Sequence, residues 1–154
     1  SFMQRWDRWF QIHPRDWSED RKRKAGIVAL AEPDTFGRGQ QHVQFLKGLK
    51  VPLYMREVMS DFPTSVRYPY EDIPYRRDDG TPYITSSAAY MLALAVHEGA
   101  GEIRLAGVEM KAGTEYVTQR PCFEFWIGVA KARGIKVVLP PTGCSLLSGD
   151  VYAA

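Results

Sequence analysis

The sequence lacks most of the features that would assign a function directly. It has only two cysteines, Cys122 and Cys144, without CxxC spacing, and we predict two reduced thiols in a cytoplasmic protein. No apolar run approaches the roughly 18 residues typical of a membrane span. A net charge of +2 over 154 residues is too small to indicate nucleic acid as a partner. The composition therefore predicts an ordinary globular protein without a membrane span.

Motifs of metal-dependent and cofactor-dependent chemistry are missing as well. The histidines His13, His42 and His97 lack ligand spacing, and there is no HExxH, so we predict no metal site. Neither a GxSxG elbow nor a Walker loop is present, and the segment GRGQQH at Gly37 is too short for a dinucleotide fingerprint. We therefore predict no bound cofactor.

The most informative stretch is Pro82 to Met110. A short extended piece, Pro82 to Ile84, leads into three hydroxyl residues, and an almost wholly apolar run, Ala88 to Val96, follows them. A helix that is apolar nearly all round must be buried on most faces. The hydroxyls suit the beginning of that helix, and Gly99 suits the left-handed residue that ends it. We expect a strand, a buried helix and a second strand, with the helix N-terminus available to an anion.

Strand-like and helix-like segments alternate elsewhere. The predicted strands are Trp6 to Pro14, Val51 to Met55 and Ile135 to Leu139, and Met59 to Gly80 is expected to be irregular. Helical spacing covers Gln40 to Leu49 and a segment that begins at Pro121, with an apolar stripe made by Phe123, Trp126, Ile127 and Ala130. This alternation predicts an α/β fold, a three-layer Rossmann-like domain over residues 1–154 with a mainly parallel sheet and helices on both faces.

The beginning of the chain is unusual for such a fold. Ser1 is followed almost at once by RWDRWFQIHP, without the opening strand and glycine turn that α/β domains commonly have. Two interpretations stay open: a fragment that lacks its first strand, and a natural short form.

Ligands of parallel sheets bind where the strands end, so the residues after each predicted strand are the candidate site. His13 is the candidate catalytic acid or base, with an unperturbed pKa near ~6.5. The candidate ligand-binding residues are Thr85, Ser86, Ser87, Glu109, Glu115, Tyr116, Gln119, Arg120 and Ser145. Hydroxyls and N–H groups suit a phosphate, an arginine pairs with phosphate, carboxylates accept from ribose hydroxyls, and a tyrosine stacks on a base.

Several of these candidates also have a purely structural interpretation. Thr85 suits a helix cap, and His13 suits a hydrogen bond to a neighbouring carbonyl. Arg120 and Glu115 suit the anchoring of their own loop, and Glu109 suits a structural ion pair. The arginines and tyrosines of residues 68–77 suit either base stacking or packing on the domain.

The motifs resemble those of a known family. ITSSAAYMLALAVHEGAGEIRLAGVEM, with RWFQIHP and IKVVLPPTGCSLL, is similar to segments of the Rossmann-like bacterial sialyltransferases that use CMP-sialic acid, and to archaeal 6-hydroxymethylpterin pyrophosphokinase-like domains. The overall pattern resembles phage and metagenomic proteins that share an EYxxQRP loop. The resemblance implies that Thr85 and Ser86 contact a nucleotide, that His13 faces it, and that Glu115 to Arg120 replaces the family's lid.

Three functional hypotheses follow. The first is a protein that binds a nucleotide or nucleotide-sugar, with transferase activity as its possible reaction. Because the predicted lid contains no histidine, the second is a binding protein without catalysis. The third is a structural or assembly protein, a homo-oligomer whose contact surface would use some of the four tryptophans and eight tyrosines.

Overall fold

The computed structural model describes residues 7–12, 40–108, 110, 115–141 and 146–147. Its strands are β1 (Trp9–Phe10), β2 (Leu53–Met55), β3 (Ser65–Arg67), β4 (Glu102–Arg104) and β5 (Lys136–Val138). Its helices are α1 (Gln40–Lys47), α2 (Ser87–His97) and α3 (Arg120–Ala132), with a 3-10 helix at Glu115–Thr118. These elements form two compact units that divide between Tyr68 and Pro69. We call them unit 1 and unit 2.

Unit 1 contains a three-stranded parallel sheet in the order β1-β2-β3. Side chains alternate across a strand, and β2 follows this rule, because Leu53 and Met55 are buried while Tyr54 is half-buried on the other face. Tyr54 stacks on Phe10 with ring centroids 5.1 Å apart. The apolar face of β2 therefore determines where the core of unit 1 lies.

Helix α1 covers that face. Its buried residues, Val43 and Leu46, are spaced by three, and they join Leu49, Leu53, Met55 and Phe62 in one cluster. Burying side chains of this size contributes about 1.5–3 kcal/mol each. The predicted helix and the predicted strand after it are both confirmed. The observed helix ends two residues earlier than predicted, and the observed strand begins two residues later.

Among the described residues of unit 1, one polar side chain is buried. Gln11, directly after β1, is only 5% exposed, and its Oε1 lies 2.9 Å from His42 Nε2. Its Nε2 is buried without a hydrogen-bond partner. A buried polar group without a partner costs on the order of 1–3 kcal/mol, so this amide is an exception to normal core composition.

Strand β3 lies within a segment that was predicted to be irregular, so that prediction is wrong for Ser65–Arg67. The strand has three residues, none of them buried, and its apolar content is a single valine. Main-chain hydrogen bonds hold both ends of β3 to β2. Leu53 N–H donates to Thr64 O over 2.9 Å, and Tyr68 N–H donates to Met55 O over 2.8 Å. An edge strand held by its backbone leaves little periodicity in the sequence.

Unit 2 pairs β4 and β5 in parallel, with Ile103 opposite Val137. Helix α2 precedes β4 and helix α3 precedes β5, and the two helices pack against each other. The predicted apolar stripe of α3 is confirmed, because Phe123, Trp126, Ile127 and Ala130 are all buried. The α/β class with short parallel sheets is therefore correct for the described residues.

Helix α2 is buried on most of its faces, as predicted, with Ala89, Leu92, Ala93, Leu94 and Val96 in the core. Within the apolar run Ala88 to Val96 the exposed residue is Met91, at 47%, and His97 at the end of the helix is exposed as well. Gly99, with φ of 72°, follows the helix in the left-handed conformation, and Gly134, with φ of 76°, does the same after α3. The ends of both helices follow from these glycines.

The strand predicted over Pro82 to Ile84 does not form. Pro82 makes only an isolated antiparallel bridge with Arg76, and Ile84 N–H donates to Pro82 O over 2.9 Å in a tight turn. The Arg76 guanidinium fixes the preceding loop by donating to the carbonyls of Tyr70, Glu71 and Gly80. The hydroxyl residues therefore follow a turn, and helix α2 alone determines their position.

The strands of unit 2 also carry exposed charge. Glu102 on β4 accepts from Lys136 Nζ on β5 over 2.8 Å and from Arg104 Nε. These two hydrogen bonds, the lysine first, lower the pKa of the Glu102 carboxyl below its ordinary value. The Glu102–Lys136 pair joins residues that lie opposite each other on β4 and β5, and it supports the parallel pairing. The Glu102–Arg104 pair lies within β4.

Candidate functional site

Helix α2 begins with a side-chain cap. Ser86 has extended backbone angles, φ −152° and ψ 159°, and its Oγ accepts from Ala89 N–H over 3.2 Å. The cap is thus Ser86, whereas the structural interpretation of the sequence placed it at Thr85, which is exposed. The N–H groups of Ser87 and Ala88 precede the first main-chain bond of the helix, so a ligand or water can accept from them. The Ser86 hydroxyl is already used by the cap, so the helix end presents the N–H groups of Ser87 and Ala88 to a ligand.

The segment before α2 lies against the first two turns of α3. Tyr83 O accepts from Trp126 Nε1–H over 2.7 Å and from Cys122 Sγ over 3.3 Å. Both donors are fully buried, so these bonds are shielded from water and fix the position of the segment. The thiol of Cys122 is free and acts here as a structural donor.

The two helices therefore begin at the same end of unit 2. Their last residues also meet, because one shallow cleft is lined by Val96 and His97 of α2 and by Arg133 directly after α3. Only residues 98–101 separate α2 from β4, so the beginning of β4 lies at the cleft end and its carboxyl end points toward the beginnings of the helices. We call the latter the carboxyl edge of unit 2.

Arg120, the first residue of α3, is half-buried in an ion pair. Its Nε lies 2.8 Å from Glu124 Oε1, one helical turn later, and the same carboxylate oxygen accepts from Leu147 N–H over 2.7 Å. Glu124 thus connects α3 to the chain near its C-terminal end. The predicted structural interpretation of Arg120, an anchoring role, is present in this geometry.

Tyr116 and Gln119 lie just before α3. The Tyr116 ring is 46% exposed, and Val117 beside it is 48% exposed. Gln119 is the N-cap residue of α3 but makes no side-chain cap bond. Its backbone N–H donates to Tyr116 O over 3.0 Å, so the 3-10 helix and α3 are continuous. A ring and an amide side chain are thus presented at the carboxyl edge of unit 2.

Several predicted site residues lie outside the described residues: His13, Glu109 and Ser145. Glu115 is described by its backbone alone, as the first residue of the 3-10 helix. The residues that the fold brings to the carboxyl edge of unit 2 are Thr85, Ser86, Ser87, Tyr116, Gln119 and Arg120. Their assignment as a binding site stays a prediction.

An aromatic cluster around Phe125 of α3 was not predicted. Phe125 contacts Tyr75, Tyr83 and Trp126 edge to face, with centroids 5.3–5.6 Å apart. The Arg77 guanidinium lies 5.5 Å above the Tyr83 ring, and that of Arg133 lies 6.0 Å above Tyr75. The arginines and tyrosines of this part of the loop thus pack on the domain. The signal in the sequence was the interleaving of these residue types, which suits either packing or binding.

Tyr75 has a left-handed backbone, with φ of 64°. This conformation costs a bulky residue on the order of 1–2 kcal/mol. The edge-to-face contacts of its ring with Phe125 and Trp126 offset that cost. The strain at this residue therefore has a packing explanation.

The cleft at the opposite end of unit 2 has a volume of about 440 Å³. Its lining includes Gly101 and Gly134. Both helices end here, and the partial negative charge of helix C-termini favours cationic side chains such as Arg133 over an anionic ligand. The electrostatics thus favour the carboxyl edge for a phosphate.

In residues 7–12, 40–108, 110, 115–141 and 146–147, no three His, Cys, Asp or Glu side chains are grouped closely enough to hold a metal ion. None of the helices α1 to α3 has the length and apolar character needed to cross a membrane.

Comparisons with known proteins add no further assignment. No family model, no curated protein and no solved structure matches the chain.

Proposed function

We propose that unit 2 binds a nucleotide or a nucleotide-sugar at its carboxyl edge, where α2 and α3 begin. The observation that carries this proposal is the contact of Tyr83 O with Cys122 and Trp126, because it brings the beginnings of the two helices to one end of the unit. Two helix N-termini at one edge favour an anionic ligand.

The phosphate groups would lie at the first turn of α2. The N–H groups of Ser87 and Ala88 are the donors, and the Ser87 hydroxyl can donate as well, because the cap bond is made by Ser86. Hydrogen bonds to a charged ligand contribute about 1.5–3 kcal/mol each, roughly twice the neutral value. Arg120 adds positive charge from α3.

The base or sugar would lie beside Tyr116. Its exposed ring can stack on a base, a contact that contributes about 1–3 kcal/mol in nucleic-acid complexes. Gln119 offers an amide that is not used as a cap, and an amide can pair with the polar edge of a base. Glu109, Glu115 and Ser145 complete the proposed set.

We also propose that the chain has a three-layer Rossmann-like fold and is related to the sialyltransferases that use CMP-sialic acid. His13 is then the proposed acid or base of a transferase reaction. The alternative is a protein that binds the nucleotide without turnover, and the absence of histidine from Glu115 to Arg120 favours it. Incubation with CMP-sialic acid and a sugar acceptor separates the two: turnover that His13→Ala abolishes supports the transferase, and binding without product supports the alternative.

Isothermal titration calorimetry with CMP, CMP-sialic acid, ATP and GTP tests the binding proposal. We expect at least one of these ligands to bind, and Tyr116→Ala to weaken its binding about tenfold, as the loss of one stacking contact implies. The matched control is Val117→Ala, an equally exposed neighbour in the same 3-10 helix, which should leave the affinity unchanged. No heat with any of the four ligands would overturn the proposal.

A further inference from the structure

We propose a second site, in unit 1, which binds an oxyanion such as a phosphate group between the Gln11 side chain and the first turn of α1. It concerns different residues from the nucleotide site proposed for unit 2. The two proposals therefore stand or fall separately.

The first observation is the unpaired amide of Gln11. Its Oε1 lies 2.9 Å from His42 Nε2, and its Nε2 is buried without a partner. Turning the amide by 180° changes only which of its two atoms meets the imidazole, so one amide atom has no partner in either orientation. Natural cores rarely keep such a group unless water, an ion or a ligand completes it.

The second observation is the place of this amide in the fold. Gln11 follows β1 directly, and its backbone N–H donates to Tyr54 O over 2.9 Å, so the residue lies where the parallel strands β1 and β2 end. This is the edge at which open parallel sheets bind their ligands. The unpaired amide therefore lies at the edge where a ligand is expected.

The third observation is the beginning of α1, a helix of eight residues. His42 is its third residue, and the 2.9 Å contact brings the Gln11 amide to the first turn. The His42 ring stacks on Phe45 with centroids 6.3 Å apart, which fixes its orientation. N–H groups of a first helical turn have no acceptor within the helix, and the helix dipole makes this end positive.

The chemistry of these groups defines the ligand. With Oε1 accepting from the imidazole Nε2–H, the free group of the amide is an N–H donor, and the first turn of α1 presents N–H donors as well. A ligand that satisfies several donors at the positive end of a helix carries oxygen atoms and negative charge. Phosphate matches both requirements. A buried water molecule is the competing occupant, because it also completes buried polar groups.

Titration of the ¹⁵N-labelled protein with inorganic phosphate tests this inference. The probes are the side-chain NH₂ signal of Gln11 and the backbone signals of Gln40 to His42, with sodium chloride of equal ionic strength as the reference. We expect saturable shifts of these signals with phosphate and none with chloride. Signals that stay unchanged with phosphate would assign the amide to a buried water and overturn the proposal.

Two variants extend the test. Gln11→Met keeps a similar side-chain length and removes both amide atoms, and we expect it to weaken phosphate binding about tenfold, as the loss of one bond to a charged ligand implies. Gln44→Met makes the same chemical change on an exposed position of α1 and should bind phosphate as the unmodified protein does. Equal phosphate affinity in both variants would contradict the proposed site at Gln11. If Gln11→Met does not fold, the phosphate titration of the unmodified protein tests the proposal by itself.

Discussion

The N-cap of α2 is the contact whose loss can be predicted most sharply. Ser86 Oγ accepts from Ala89 N–H, while Thr85 before it is exposed and Ser87 after it is the first helical residue. Three hydroxyl residues in a row therefore have three different roles. Replacing each of them with alanine separates the cap from the other two positions.

The magnitudes follow from that geometry. Ser86→Ala removes the side-chain acceptor of the cap, which costs about 1 kcal/mol of helix stability. Ser87→Ala replaces a residue of lower helix propensity at a helical position and should stabilise α2 by at most about 0.5 kcal/mol. Thr85→Ala should change the stability little, because the residue is exposed.

Hydrogen exchange of the α2 backbone amides is the suitable assay, because it reports on the local opening of the helix. Ser86→Ala should accelerate exchange in the first two turns about fivefold, and Ser86→Asp should retain the slow exchange because aspartate also caps. An effect of Thr85→Ala as large as that of Ser86→Ala would contradict a cap at Ser86 and place it at Thr85.

Three further predictions concern unit 2, with urea unfolding as the measurement. Gly134→Ala should destabilise it by about 1–2 kcal/mol because φ is 76°, whereas Gly128→Ala, in open space within α3, should stabilise it by up to about 1 kcal/mol; equal effects would contradict this. Because its pKa is lowered in the folded state, the Glu102 carboxylate contributes stability above its ordinary pKa of about 4.3, and this stability is lost as the pH falls through the folded pKa. Glu102→Gln should therefore reduce the decrease in the free energy of unfolding at acidic pH; an unchanged decrease would contradict this. Trp126→Phe removes the bond to Tyr83 and should cost at least about 1 kcal/mol; a neutral result would exclude that bond as an anchor.

The helices could be predicted from the sequence because their signals are local. Helix α2 is indicated by an apolar run that ends at Gly99, and α3 by an apolar stripe that starts after Pro121 and stops at Gly134. Both glycines have a left-handed backbone conformation that few other residues adopt, and this marks the helix ends. The core residues of α3 follow from the same spacing.

The short strands could not be predicted in the same way. Strand β3 is held by main-chain bonds to β2, and Pro82 to Ile84 has strand-like residues yet forms a turn. Both outcomes depend on long-range partners, which local propensity does not encode. In the turn, the Tyr83 carbonyl bonds to α3 instead of to a neighbouring strand.

The candidate site was predictable only as a set of residue types. The sequence places hydroxyls before α2 and Tyr116 before α3, but it does not show that Ser86 is used by the cap or that Glu124 pairs with Arg120. The buried amide of Gln11 gave only a faint signal, one polar residue within the apolar run WFQI. Its lack of a partner becomes visible only when α1 is placed beside β1.

Mapping where CMP binds to the ¹⁵N-labelled protein is the decisive measurement for the proposed nucleotide site. Binding at the carboxyl edge of unit 2 predicts that backbone signals of Ser86 to Ala89 and of Tyr116 to Cys122 shift together and saturate at one ligand concentration. Shifts confined to Val96 to Gly101 and to Arg133 to Ile135 would place the ligand in the opposite cleft and contradict the account.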